Sequence, residues 1–316
     1  MMRTKTWRTL SLSLSLLACT PLLTLLTGCP AEDSGTPGQL GEATFYCGYF
    51  CSVRSLALAA GGATFRLRYK SPSRVRYTQS LSPEVFTAYV VNDEFLEIHT
   101  GRPGTGEFIL GGTHGEIDRL QLRVEPVTEI VIDRATPGEP LLLWSDAYLQ
   151  LRVSWQGPSG PLFGTNAVRA ISTGSLRLDP DGGDFMQSRF IVTGTPGTGT
   201  IEFDSSDTRL SLPIQVVGPE DLVRLESSVV SESTLPDGSR QGEYRVQAHT
   251  AEGVVYGVPC DWQVSDSSVQ ITGGYSPTYD LHEVPGMVTR FVVVRPGSHA
   301  ATCRVGDLSV TIPFNL

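Results

Sequence analysis

The chain has 316 residues, with 33 acidic and 24 basic side chains, a formal net charge of −9, and 40% apolar residues beside 33 Gly and 21 Pro. That acidic balance excludes the basic footprint nucleic-acid binding demands, and the apolar content excludes a disordered chain, while Gly and Pro point to a turn-rich fold. The length exceeds what one hydrophobic core usually holds, so two or three domains are expected.

Arg3, Lys5 and Arg8 open the chain, Leu10 to Leu26 supply an apolar run, and small residues then precede a cysteine. This is the layout of a secretory signal. Its closing residues, Leu26-Thr27-Gly28-Cys29, resemble the lipobox of bacterial lipoproteins. The resemblance implies cleavage after Gly28 and acylation of Cys29 as the first mature residue. Leu16-Leu17-Ala18-Cys19 fits the same pattern. Cys29 is preferred because the segment behind it, Pro30 to Gly38, is polar and rich in Pro and Gly, as a flexible tether requires. Behind Cys19, Pro21 to Leu26 would leave an apolar leader on the bilayer. The alternatives are an ordinary signal peptide without lipid and an uncleaved membrane anchor. A single acyl chain binds membranes marginally, at about 10⁴ per molar, but lipoproteins of this family carry two or three. Residues 1–28 are therefore expected to be signal peptide, and 29–43 a tether of which nothing packs. Cleavage removes three basic and no acidic residues, taking the net charge to −12.

Cys47, Cys51, Cys260 and Cys303 follow in the mature chain. Export places them where disulfides persist, and four cysteines allow three connectivities. Distance along the chain favours two local bridges, Cys47–Cys51 and Cys260–Cys303. Gly48 would supply the turn the first pair needs. No histidine follows Cys51 and no second cysteine pair lies near it, so a metal or haem site there has little support.

Beyond residue 43 short alternating apolar runs are broken about every 8 to 12 residues by Gly, Pro, Asn or Asp, an all-β signature with no sustained helical period. Pro103-Gly-Thr-Gly106, Pro196-Gly-Thr-Gly199 and Pro296-Gly-Ser-His299 each precede a strand, a tight turn and a closing strand, at spacings of 93 and 100 residues. Alternating strands at 63–69, 147–153 and 243–249 repeat upstream. A period of this size is a domain. In the last repeat, Cys260-Asp-Trp262-Gln-Val-Ser-Asp-Ser-Ser resembles the bacterial immunoglobulin-like domains, in which a Trp-containing strand leads into a Ser/Asp-rich turn. The resemblance implies tandem β-sandwich domains at 44–125, 126–219 and 220–316. It is carried best by 223–316, and at 44–125 by the closing hairpin alone. Trp262 would fill the space between two sheets. Val124-Glu-Pro-Val127 and Val217-Gly-Pro-Glu220 would be semi-rigid joints.

Chemistry is sparse. His99, His114, His249, His282 and His299 lie in no nucleophile motif, and Gly157-Pro-Ser-Gly160 lacks the strand–turn–helix context of a nucleophile elbow. Asp179, Asp181 and Asp184 sit in Asp-Pro-Asp-Gly-Gly-Asp, which reads as a turn in preference to a calcium loop, since the spacing is not that of an EF-hand. One strand is unusual. Arg66, Arg68 and Lys70 alternate with Phe65, Leu67 and Tyr69, and Arg74 and Arg76 alternate with Val75 and Tyr77. The cations would share outward faces and the aromatics point inward. Such a face either attracts anions or is neutralised by Glu94, Glu97 and their neighbours.

These readings combine into a lipid-anchored cell-envelope protein with a non-catalytic binding, adhesion or scaffolding role, no cofactor, no metal, and envelope proteins or glycans as partners. The outer membrane is preferred to the inner. The alternatives are an accessory subunit of an envelope machine and a carbohydrate-acting enzyme whose carboxylate pair the sequence does not reveal.

Overall fold

An extended strand turns successive side chains to opposite faces, and the basic strand follows that period residue by residue. Phe65, Leu67 and Tyr69 are buried, while Arg66, Arg68 and Lys70 are exposed. A computed structural model describes residues 35–47, 53, 56–133, 135–136, 138–184, 187–273, 278–280 and 285–315. The protein is an all-β sandwich; among the described residues the only helix is a 3₁₀ turn at Pro219–Asp221.

Residues 36–125 form β1 (Thr36–Pro37), β2 (Thr44–Tyr46), β3 (Ala57–Ala59), β4 (Thr64–Lys70), β5 (Tyr77–Ser80), β6 (Phe86–Val90), β7 (Phe95–Thr100), β8 (Gly104–Gly112) and β9 (Gly115–Glu125). Two sheets result, ordered β1-β2-β4-β7-β6 and β3-β9-β8-β5. Their inner faces enclose Phe45, Phe65, Leu67, Phe86, Leu96, Ile98, Phe108, Leu110 and Leu122. Phe108 meets Phe45 and Phe86 edge-on, both at 6.0 Å. Each ring so buried stabilises the unit by about 1.5–3 kcal/mol.

The expected tether packs in its later part. Thr36 and Pro37 pair with Phe45 and Thr44, and the backbone N–H groups of Leu40 and Ala43 donate to the buried Asp118 carboxylate at 2.8 and 2.7 Å. A buried carboxylate needs donors, and this segment supplies them. Tyr77, expected inward, is 43% exposed. The strand break at Ser71–Ser73 carries the chain across to the second sheet; Val75 beyond it is still buried, and inward parity fails only at Tyr77, where β5 begins.

Residues 129–217 form β10 (Glu129–Ile132), β11 (Leu141–Trp144), β12 (Tyr148–Gly157), β13 (Gly160–Pro161), β14 (Arg169–Asp184), β15 (Gln187–Asp204) and β16 (Arg209–Val217). Leu149, Leu151, Val153 and Trp155 of β12 pack with Val192, Ile201 and Phe203 of β15 and Leu212, Ile214 and Val216 of β16. Two sequence expectations change here. Pro196–Gly199 opens no strand but lies within β15, because Gly197 to Asp204 pair with β16 in unbroken register. Asp179–Asp184 is no free turn either: it is the end of β14, bulged between Pro180 and Gly183. A second bulge lies between Gly174 and Leu176. Gly174 has φ +68, and a Cβ there would lie 2.4 Å from the Thr198 carbonyl oxygen, so only glycine fits.

Residues 224–315 form β17 (Arg224–Thr234), β18 (Arg240–His249), β19 (Val254–Tyr256), β20 (Asp261–Val264), β21 (Val269–Gly273), β22 (Thr278–Asp280), β23 (Met287–Val293), β24 (Ser298–Val305) and β25 (Leu308–Asn315). β20-β24-β25 faces a sheet containing β18 and β23, and Tyr244, Phe291, Cys303 and Phe314 lie buried in the core. Trp262 reaches across, edge-on to Phe291 at 4.9 Å, and its indole N–H donates to Thr289 Oγ1 at 3.2 Å.

The joints are more than linkers. β11 runs parallel between β16 and β19, so one sheet continues from the second stretch into the third. Thr64 and Thr165 exchange backbone hydrogen bonds of 2.8 and 2.7 Å between the first and second. Glu125 accepts from Ser159 N–H at 3.1 Å and Ser159 Oγ at 2.7 Å, and pairs with Arg123 at 2.9 Å.

Candidate ligand-binding face

The outer face of the β1-β2-β4-β7-β6 sheet carries Arg66, Arg68 and Lys70, all exposed. Antiparallel register sets Tyr46 beside Arg68 and Arg68 beside Phe95, so one row across the strands reads Tyr46, Arg68, Phe95. The next row reads Arg66, Glu97, Tyr89. Lys70 lies beside Thr44. Tyr46 and Phe95 are half-buried, and Tyr89 is 54% exposed.

Electrostatics divides the cations. Arg66 lies 3.5 Å from Glu97, whose carboxylate also meets His99 at 2.9 Å. The His99 hydrogen bond, helped by the charge of His99 and by Arg66, holds Glu97 below the usual carboxylate range against the opposing effect of burial. The Arg68 guanidinium lies 5.9 Å from the centre of the Tyr46 ring. Among the described residues, neither Arg68 nor Lys70 has an ion-pair partner. Arg76 leaves this face, whereas Arg74 reaches back to the β6–β7 turn at its rim. Arg74 pairs with Asp93 at 3.6 Å, and Arg76 donates its backbone N–H to Gly111 on the other sheet. The strand break at Ser71–Ser73 therefore sets Arg76 apart from the cations of β4.

Elsewhere the polar side chains close loops. His299 Nδ1 meets Asp266 at 2.8 Å and its Nε2 meets the Arg295 carbonyl at 3.1 Å, while Ser265 Oγ donates to Asp266 and not to the imidazole. The hydrogen bond to Asp266 raises the His299 pKa above its ordinary value, and the same bond lowers that of Asp266. No ring nitrogen is left to activate a hydroxyl, so this trio cannot work as a nucleophilic triad. His249 lies 3.3 Å from Glu226, and His114 is exposed in the β8–β9 turn. Asp179 pairs with Arg177 at 2.9 Å and Asp181 accepts from Gln150 at 2.6 Å, so the two carboxylates are engaged separately. A shallow cleft of about 370 Å³ on the second stretch is lined by Thr173, Thr198, Thr200, Gln215 and prolines, with no titratable side chain.

Cys260 and Cys303 form a disulfide with Cα atoms 5.5 Å apart. It ties the start of β20 to β24 within one sheet, with Cys303 fully buried. Cys47 is buried in the first core. Cys19, Cys29, Gly48, Cys51 and His282 lie outside the described residues, as does the Asp184 side chain. Sequence reasoning missed three features: the Tyr46 and Phe95 flanks, the Asp118 clamp and the Glu125–Ser159 joint. Only Asp118 carried a signal, since it shares the inward parity of Leu120 and Leu122.

Fold and face together define a β-sandwich protein with a basic, ring-flanked sheet surface. No protein-family model and no curated protein matches the chain. Among solved structures it is similar to domains 4–9 of the surface-layer protein SbsC, at 15% identity and a TM-score of 0.31, over 79% of this chain and 42% of that one. It is also similar to the Escherichia coli adhesin FdeC, at 10% identity and a TM-score of 0.26, over 89% and 98%. Titin domains I67–I69 align at 10% identity and a TM-score of 0.21, over 82% and 93%. The chain spans less than half of that SbsC structure, and scores this low carry no inference about binding.

Proposed function

We propose that the chain is a cell-envelope protein, anchored by lipid at Cys29, with a non-catalytic binding and adhesion role. It displays three immunoglobulin-like units, 44–125, 126–219 and 220–316, and the first carries the binding face. The supporting observation is the outward row Tyr46–Arg68–Phe95, with Lys70 beside it, on the unit that follows the lipobox-like segment directly. The strand-stitched joints support display at a fixed distance from the bilayer, since they resist bending where a bare linker would not. Envelope glycans or proteins are its partners, and the outer membrane its site.

Labelled fatty acid and membrane fractionation test the anchor. Label should enter the wild type and the Cys19→Ser chain but not Cys29→Ser, which should leave the membrane fraction or stall in maturation. Label that persists in Cys29→Ser and vanishes in Cys19→Ser moves the anchor to Cys19.

A further inference from the structure

We infer that the outer face of the β1-β2-β4-β7-β6 sheet binds a linear acidic polysaccharide, with Arg68 and Lys70 as its anion contacts and Tyr46 and Phe95 as its sugar platforms. The inference rests on the reading of the chain as a non-catalytic surface binder and names its ligand class.

Charge comes first. Arg66 is engaged by Glu97, Glu97 by His99 as well, and Arg74 by Asp93. That leaves Arg68 and Lys70 on this face without a carboxylate partner among the described residues, although Glu94 lies exposed in the adjoining turn. The two cations are i and i+2 on one strand, about 6.6–6.8 Å apart along it. A polymer bearing an anion on successive units can meet both. A guanidinium fits a carboxylate in a two-point fork, and an ammonium meets it as a point charge.

Shape selects the carrier of the anion. Arg68 is flanked in its own row by Tyr46 on β2 and Phe95 on β7, both half-buried and therefore held by the sheet. A pyranose ring offers a face of C–H groups that packs on an aromatic ring, as apolar surface does. A rigid sheet presents these rings at little cost in side-chain entropy on binding. Aromatic rings also sit at membrane interfaces, so a lipid surface is the competing occupant and the vesicle arm of the test separates the two. The surrounding protein is acidic, so attraction is confined to within about one Debye length, near 8 Å at physiological salt. Binding is therefore expected to be local and weakened by salt.

The test uses the purified full chain carrying Cys29→Ser, titrated calorimetrically with polygalacturonate, with neutral dextran, and with mixed phosphatidylglycerol–phosphatidylcholine vesicles. Saturable binding to polygalacturonate is expected, falling as salt rises, with none to dextran. Arg68→Glu with Lys70→Glu, both at exposed positions, should weaken it by about tenfold or more. Tyr46→Ala with Phe95→Ala should weaken polygalacturonate binding about three- to tenfold, with the first unit still folded by circular dichroism at the titration temperature. Absent polygalacturonate binding, or binding indifferent to the charge reversal, overturns the inference. So does equal affinity for the vesicles that survives loss of both rings, which would assign the face to lipid. The anchor reading stands or falls separately, on fatty-acid labelling.

Discussion

At the scale of single residues, the side chains that matter most break the local pattern. Asp118 occupies an inward position of β9 among leucines and is fully buried. It accepts from Leu40, Ala43 and its neighbour Arg119, the last at 2.8 Å. Asp118→Ala would orphan those donors, and a loss of about 3 kcal/mol is expected in chemical denaturation, with proteolysis near residue 40 as the local sign. A cost under about 0.5 kcal/mol would mean that the segment 36–43 contributes little. His299 and Asp266 set a pH dependence. The folded pKa of His299 is raised, so its contribution is complete below about 6.5 and is lost as pH climbs through the raised value. That of Asp266 is lowered, so its contribution is present above about 3.8 and is lost in acid. The third unit should melt highest between those limits, and Asp266→Asn should flatten both flanks of the profile. A melting temperature that varies with pH identically in both proteins would refute the pairing.

At the scale of elements, the exposed edge strand β17 is the most telling. Among the described residues it pairs with β18 alone, and all of its residues but Leu225 are exposed, Val229 at 59% and Val230 at 43%. Such an edge invites pairing with another chain. Two features oppose it: a bulge between Val229 and Ser231, and the carboxylates Glu226 and Glu232 spaced along the strand. Bulges twist an edge away, and charge makes stacking costly. Ser228→Val with Ser231→Val would create four consecutive valines. Concentration-dependent association in light scattering is then expected, at little change in melting temperature. The β20 edge of the same unit is secured covalently to β24. Replacing Cys260 and Cys303 by alanine should cost up to about 4 kcal/mol for a closed loop of this length.

At the scale of the whole molecule, the three cores are joined by backbone. Ala57, Ala59 and Ala63 of the first stretch lie in the second core, and Leu142 of the second lies in the third. β11 carries the sheet across one boundary, and the Glu125–Ser159–Arg123 cluster closes the other. Glu125→Ala with Ser159→Ala should loosen that first boundary. A calorimetric transition shared by the first two units is expected to split in two, with the first unit unfolding earlier. One unsplit transition would show that the strand bridges at Thr64 and Thr165 suffice.

The all-β class, the closing hairpins of the repeats, the inward face of β4 and the pairing of Cys260 with Cys303 were all legible in the chain itself. Each depends on alternation, turn residues or distance along the sequence, which are local quantities. The neighbours of Arg68 were not legible. Tyr46 and Phe95 lie 22 and 27 residues away, and only strand register brings them into one row. The joint between the second and third stretches was equally hidden, because β11 pairs in parallel with β16 and β19 across as many as 113 residues. Residues 36–43 are held by pairing with β2 and by a carboxylate more than 70 positions away. Composition marked that segment as a free tether, and tertiary structure overruled it, because a buried charge must find its donors wherever the chain can bring them.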